Sequence, residues 1–275
     1  MLNFMVDQNA CTKCGLCVAD CPVRIITMRE EGFPTIAPDR EVACYKCQHC
    51  LAICPAAAVS ILGLKPENSL KLAGHLPKPK QMETLIKGRR SVRRYKDENL
   101  DPGLIRRLLE VAWHAPTGVN SRQVRLTVVD DRKIMARFRE QVMDGLRHLA
   151  RAGGLPENLG FFADFVRMWD EQRSDVIFRG APHLLVTSLP QHCPSPAQDG
   201  IIALSYFELL AQANGIGTVW SGLAKWAIND LVPDTRQRLG VPEDHLIGYA
   251  MVFGKPVSRY ARTVQHGPAM IHWVS

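Results

Sequence analysis

Eight of the nine cysteines fall between residues 11 and 54, and their spacing repeats. The first run is Cys11-x2-Cys14-x2-Cys17-x3-Cys21, followed by Pro22; the second is Cys44-x2-Cys47-x2-Cys50-x3-Cys54, followed by Pro55. Thiols grouped this densely can pair as disulfides, hold zinc, or hold an iron–sulfur cluster. Disulfides need an oxidising compartment. The start Met-Leu-Asn-Phe-Met-Val-Asp has neither the basic opening nor the apolar core of a secretory signal, so export is not expected. Structural zinc takes two ligand pairs separated by a longer loop, whereas three cysteines here lie within seven residues. A trio that tight wraps three corners of a cubane.

With its trailing proline the run matches the bacterial ferredoxin signature, and residues 1–62 resemble a complete two-cluster bacterial ferredoxin. The duplication implies two [4Fe–4S] clusters. In that signature the fourth cysteine of each run ligates the other cluster. The expected ligand sets are therefore Cys11, Cys14, Cys17 and Cys54, and Cys44, Cys47, Cys50 and Cys21. A cluster can also serve as a staple for a fold too small to have its own core. One would suffice for that, so a pair reads as an electron wire.

Four further segments have residue types suited to chemistry. Arg89-Arg90-Ser91-Val92-Arg93 offers three guanidiniums and a hydroxyl, the donors a phosphate takes, although a solvated charge run looks the same. Ala115-Pro116-Thr117-Gly118-Val119-Asn120 is a turn at a helix end. Gly215-Ile216-Gly217-Thr218-Val219-Trp220-Ser221-Gly222 superficially resembles a dinucleotide fingerprint. It has Trp220 at the third glycine position, and it follows a helix and leads into a strand, the reverse of the required context. A Rossmann site is excluded there. The last segment is Gly254-Lys255-Pro256 with Arg259, Tyr260 and Arg262 behind it.

In this order the four segments, with Arg179-Gly180-Ala181-Pro182-His183-Leu184-Leu185, resemble the nitroreductase family of FMN flavoenzymes over nearly all of residues 81–275. The ferredoxin-fused subgroup is the most similar. The resemblance implies that Arg89, Arg90, Ser91 and Arg93 hold the FMN phosphate, the ribityl chain and the N1/O2 edge of the ring. Arg262 would be a second phosphate ligand, with Tyr260 or Arg259 as helpers. Pro116, Thr117, Gly118 and Asn120 would form a loop reaching the flavin of the other subunit, and Ser221 and Gly222 the backbone facing flavin N5. A homodimer with FMN at the interface is implied as well. Many relatives read Asn-x-Gln-Pro-Trp after the loop, where this chain reads Asn120-Ser121-Arg122-Gln123-Val124, which leaves the role of Arg122 open. Cys193 in a turn-rich loop reads as a bystander thiol, His114 as a helix C-terminal residue, and Trp220 and Trp226 as packing. No motif is assigned in 145–175.

These side chains need a scaffold, and the pattern supplies one. Asp101-Pro102 is a helix start, with Asp as N-cap and Pro at N1. Leu104, Ile105, Leu108, Leu109, Val111 and Ala112 carry that helix to His114. Leu126–Val129, Leu184–Leu189 and Gly248–Phe253 read as buried strands. Ile201–Ala213 is helical and apolar on nearly every face, so it should be buried all round. The expected fold class is α+β: a ferredoxin-type domain at 1–62, a Pro/Gly/Lys-rich linker at 63–80, and a nitroreductase-like domain at 81–275 with a central sheet flanked by helices.

Composition agrees with an ordinary globular chain: 275 residues, 46% apolar and 22% charged. No run reaches the roughly 18 apolar residues of a membrane span, so a cytoplasmic protein without membrane contact is expected. The net charge of +7 sits as −1 in 1–62, +3 in 63–80 and +5 in 81–275. No helix carries a long basic stripe, so nucleic acid is not expected, and an anionic cofactor suits the excess better. The functional expectation is an iron–sulfur flavoprotein oxidoreductase passing electrons from a donor through two [4Fe–4S] clusters to FMN. The acceptor would be a small electron-poor conjugated molecule such as a nitroaromatic or quinone, and the donor ferredoxin-type or NAD(P)H. No catalytic side chain is assigned, because the cofactor supplies the chemistry. The rival is an electron-transfer or redox-sensing module acting on a protein partner.

Overall fold

The computed structural model describes residues 1–274. It divides into two compact units, Met1–Pro77 with Val119–Ser121, and Lys78–Gly118 with Arg122–Ser275. No helix among the described residues is long and apolar enough to cross a membrane.

The first unit contains β1 (Met5–Val6), α1 (Leu16–Ala19), β2 (Ile26–Met28), β3 (Pro34–Ile36), α2 (His49–Ala52) and β4 (Val59–Ser60). Strands β1 and β4 pair antiparallel, as do β2 and β3. Its core is Leu2, Ile25, Ile26, Leu51, Val59 and Ile61, completed by the buried thiols of Cys17, Cys21 and Cys50. The duplication seen in the cysteines extends to the backbone. Positive φ recurs at Lys13 and Lys46, at Gly15 and Gln48, and at Arg24 and Ala57. Each pair occupies equivalent positions of the two runs. Left-handed backbone is unfavourable for residues with a Cβ. Its recurrence at five non-glycine positions shows both loops coiled in the same tight way, each leading into one turn of helix.

The second unit runs α3 (Pro79–Gly88), α4 (Pro102–Ala112), β5 (Arg125–Val129), α5 (Arg132–Arg151), α6 (Phe162–Gln172), β6 (His183–Pro190), α7 (Pro196–Ala213), β7 (Gly217–Trp220), α8 (Gly222–Trp226), α9 (Asp234–Arg238) and β8 (His245–Gly254). The sheet is antiparallel in the order β5-β6-β8-β7. Strand β6 is buried along its whole length, because successive side chains enter different cores. Leu184 and Val186 pack with Met135, Phe138, Val142 and Leu146 of α5 and Phe162 and Trp169 of α6. Leu185 packs on the opposite face with Leu108 of α4 and Leu204 and Phe207 of α7.

Local signals explain most boundaries. Asp101 caps α4 by accepting from the Leu104 N–H at 2.8 Å, and Asp131 caps α5 through the N–H groups of Lys133 and Ile134. Helix α4 stops at Ala112 with Trp113 as its cap, short of His114. Helix α3 begins at Pro79, inside the stretch read as linker, where proline suits the first helical position. Segment 145–175 forms the end of α5 and the whole of α6. Helix α7 is not buried all round within the chain: Ile201 and Tyr206 are 42% and 43% exposed. The sheet covers one side, α4 a second, and α3 packs against the helix as well, while the flank bearing Ile201 and Tyr206 stays open among the described residues. Trp226 likewise stays 41% exposed, beside Phe161.

Candidate functional site

In the first unit, the folding of each run against the other sorts the eight thiols into two sets. Cys11, Cys14, Cys17 and Cys54 line one cavity, together with Gly15, Pro34 and Val59. Cys21, Cys44, Cys47 and Cys50 line a second, with Ile25, Ile36 and Ile61. The fourth cysteine of each run therefore faces the other run's trio. No three His, Cys, Asp or Glu side chains among the described residues converge on a single-ion site. An all-thiolate donor set around an apolar cavity fits an iron–sulfur cluster. Backbone N–H groups already point at sulfur: Lys46 donates to Cys44 Sγ and Ala58 to Cys54 Sγ, both at 3.3 Å.

The thiols are electrostatically unequal. The Leu16 N–H and the Thr12 hydroxyl hold the exposed Cys14 below the usual thiol range. Burial pushes Cys17 up and Cys50 up to about 11.

In the second unit, the segment 89–93 lies along β7. Ser91 bridges Thr218, and the Val92 N–H donates to Thr218 O at 2.8 Å. Only a glycine permits this approach, since a Cβ on Gly217 would lie 2.7 Å from Val92. Tyr95, whose phenol burial keeps protonated, donates to Val92 O at 2.7 Å, and the Tyr260 hydroxyl donates to Ser91 O at 3.3 Å. The structure thereby brings together Arg89, Ser91, Arg93, the β7 strand and the start of the tail. Arg93 is exposed, and among the described residues its side chain makes only a long contact at 3.5 Å from Nη1 to Ser91 O. Arg90 is half-buried and makes no side-chain hydrogen bond among the described residues. A cavity of about 470 Å³ lies beside this cluster, lined by Val92, Gly215, Gly217, Arg259 and Tyr260.

Ser221 and Gly222 follow β7 directly. The Ser221 hydroxyl is committed to structure, accepting from the Ala224 N–H at 3.0 Å and donating to Ile177 O at 2.9 Å. The Ser221 backbone is engaged as well, its N–H donating to Ala250 O at 2.9 Å and its carbonyl accepting from the Lys225 N–H at 3.1 Å, so Gly222 offers the less committed backbone of the pair. The turn supplying Ile177 is itself braced, because Asp175 accepts from the N–H groups of Phe178 and Gly180, both at 2.8 Å.

The remaining expected residues lie elsewhere. The Gly118 N–H donates to both oxygens of the buried Asp199 at 3.1 Å. Asp199 sits nine residues from Glu208 on α7, so the loop lies about 14 Å along that helix from the Arg89 cluster. Asn120 groups with the first unit, where its Nδ2 donates to Tyr45 O at 2.8 Å. Pro116 and Thr117 precede it, and the Thr117 hydroxyl accepts from the Arg122 N–H at 3.0 Å. Arg122 stacks its guanidinium over Trp113 at 4.8 Å and donates to Ala115 O, so it is engaged locally. Arg262 is exposed and has no ion pair among the described residues. Cys193 is packed in a small core with Val124 and Leu189.

Three acidic residues that hold this architecture escaped the sequence reading: Asp175, Asp199 and Glu208. Glu208 had a visible signal, a lone charge in the apolar stretch 201–213.

Comparison with known proteins follows the two-unit division. A 4Fe-4S dicluster domain model matches residues 10–58, and the nitroreductase family model matches residues 86–255, more than half of the chain. A Methanothermobacter thermautotrophicus protein named "Putative NADH dehydrogenase/NAD(P)H nitroreductase" is 25% identical over 211 residues, covering 74% of this chain and 93% of that protein. The FMN-bound nitroreductase structure from Bacteroides fragilis superposes with a TM-score of 0.56 at 21% identity, covering 70% of this chain and 99% of that one. The FMN-bound nitroreductase from Desulfitobacterium hafniense gives 0.54 at 23% identity, covering 70% and 98%. With both family models matching in the order the cysteines and the β7 cluster demand, this chain belongs to the nitroreductase family and carries a 4Fe–4S dicluster domain ahead of the family fold.

Proposed function

We propose that the chain is an iron–sulfur flavoprotein reductase that takes electrons from a donor through two [4Fe–4S] clusters to FMN and delivers them to an electron-poor conjugated acceptor. Residues 1–62 act as the ferredoxin domain, 63–80 as the linker and 81–275 as the flavin domain. The observation that carries the reading is the presence, in one chain, of two four-cysteine cavities and the nitroreductase fold. When bound, the clusters supply one-electron steps and FMN converts them into two-electron reduction.

The protein's part is binding, orientation and electrostatics. Cys11, Cys14, Cys17 and Cys54 hold one cluster, and Cys21, Cys44, Cys47 and Cys50 the other. Arg89, Arg90 and Ser91 hold the phosphate end of FMN. Arg262, aided by Arg259 or Tyr260, adds to that set. Arg93 puts positive charge beside the N1/O2 edge, where it favours the negative charge of the reduced ring. Ser221 and Gly222 present backbone to N5. Pro116, Thr117, Gly118 and Asn120 serve the flavin of a partner subunit in a homodimer whose interface covers the exposed flank of α7. A cytoplasmic location suits oxygen-sensitive clusters and reduced thiols.

A second reading has FMN reduced directly by NADH or NADPH, and the name of the M. thermautotrophicus relative favours it. One anaerobic experiment separates the two. The purified chain should contain about eight iron and one FMN. Turnover is then compared with reduced ferredoxin, NADH and NADPH as donors across nitroaromatic, quinone and enone acceptors. Ferredoxin-driven turnover of one acceptor class supports the first reading, and turnover only with nicotinamides the second. FMN that is reduced but never turns over would favour a redox module acting on a protein.

A further inference from the structure

Glu208 lies in the middle of α7 with 6% of its surface exposed, which is costly for a carboxylate unless its charge is paired. Its Oε1 accepts from two donors, the Thr218 hydroxyl at 3.1 Å and Arg89 Nη1 at 3.3 Å. The two partners belong to the elements already found side by side, β7 and the segment 89–93. A carboxylate needed only to tie α7 to β7 would be served by Thr218 alone. The arginine contact adds something different. The Arg89 side chain is 29% exposed against 8% for Glu208, so the pair is asymmetric: one end is sunk in the core, the other open. Glu208 takes Nη1, and the other N–H groups of the fork remain for a ligand.

We propose that Glu208 is a positioning residue: by holding Nη1 of Arg89 from inside the domain, it presents the remaining guanidinium donors, already oriented, to the phosphate of the cofactor. This rests on the FMN reading above. A free arginine side chain must lose its rotamer freedom when it grips an anion, and an arginine already held by a buried carboxylate has lost much of it beforehand. The carboxylate also repels a phosphate, so the two effects oppose one another and the sign of a substitution is diagnostic.

The test uses the full chain with its clusters, stripped of flavin, and titrates FMN and riboflavin by quenching of flavin fluorescence. Riboflavin lacks the phosphate and so reports on the rest of the site. Glu208→Gln should weaken FMN about tenfold, the scale of one charge-assisted contact, and leave riboflavin unchanged. In a double-mutant cycle, Glu208→Gln should add nothing to Arg89→Ala, because it acts through that side chain. Glu208→Asp keeps the charge and withdraws its reach, so it should reproduce the phosphate-selective loss if the Gln variant does not fold. Equal loss of FMN and riboflavin would mean a structural tie only. Additivity with Arg89→Ala, or tighter FMN binding in Glu208→Gln, would also overturn the proposal. Wild-type protein that binds neither flavin would overturn the FMN reading itself, an outcome distinct from these.

Discussion

Asp175→Asn tests whether the turn under the Ser221–Gly222 segment is held by charge or merely by shape. Asp175 accepts from two backbone N–H groups and lies 2.7 Å from Arg139 Nε, with side-chain exposures of 6% and 14%. Removing one partner of a buried ion pair costs about 3–5 kcal/mol, because the survivor is left uncompensated. Two features place this case at the lower end. Arg139 Nε is close to the carboxylate but not aligned as a hydrogen bond, and its guanidinium keeps a bond to Ala181 O at 2.9 Å. We expect a loss of about 3 kcal/mol, hence a fall in Tm of roughly 6–12 °C for a unit of this size. Arg139→Met should cost less, since Asp175 retains both backbone donors. All five tryptophans lie beyond residue 80, so tryptophan fluorescence during urea and thermal unfolding reports the second unit alone. A Tm change under about 2 °C, or a larger loss in Arg139→Met than in Asp175→Asn, would refute this account of the turn.

Other consequences can be measured directly. Cys54→Ser should remove the cluster held by Cys11, Cys14 and Cys17, and Cys21→Ser the other, each leaving about four iron per chain and a distinct EPR signal. If Cys54→Ser instead erases the signal that depends on Cys44, Cys47 and Cys50, the assignment of the cavities is wrong. Arg262→Ala should weaken FMN roughly 10- to 100-fold with cluster content intact, and unchanged affinity would remove Arg262 from the phosphate set. Burial holds His183 and His245 below the ordinary histidine value of 6.5, so the unfolded chain takes up their protons first as pH falls below it. Stability contributed by their neutral forms is complete above that value and declines as pH drops through it. For the fully buried His183 the loss by pH 5.5 is at most about 1.4 kcal/mol. The urea midpoint should therefore fall between pH 7.5 and 5.5, and His183→Gln should flatten that change.

The sequence determined the features whose cause is local. Ligand spacing is a property of a few consecutive residues, so eight cysteines in two equal runs declare their chemistry without a fold. Strand and helix positions along β6, α4 and β8 followed from apolar periodicity, and the start of α4 from an Asp cap that acts within three residues. Tertiary structure decided whatever depends on residues far apart in the chain. The crossed ligand sets expected from the ferredoxin signature need tertiary structure to form, since the runs, 33 residues apart, must fold across each other to make the two cavities. The charged partner of Glu208 is 119 residues away and that of Asp175 is 36, distances over which no period or motif speaks. The apolar helix α7 misled for the same reason: hydropathy says that a face avoids water but not what covers it. The sheet, α4 and α3 of one chain pack against it, and Ile201 and Tyr206 stay open because burial is settled by neighbours in space, which a sequence does not list in order.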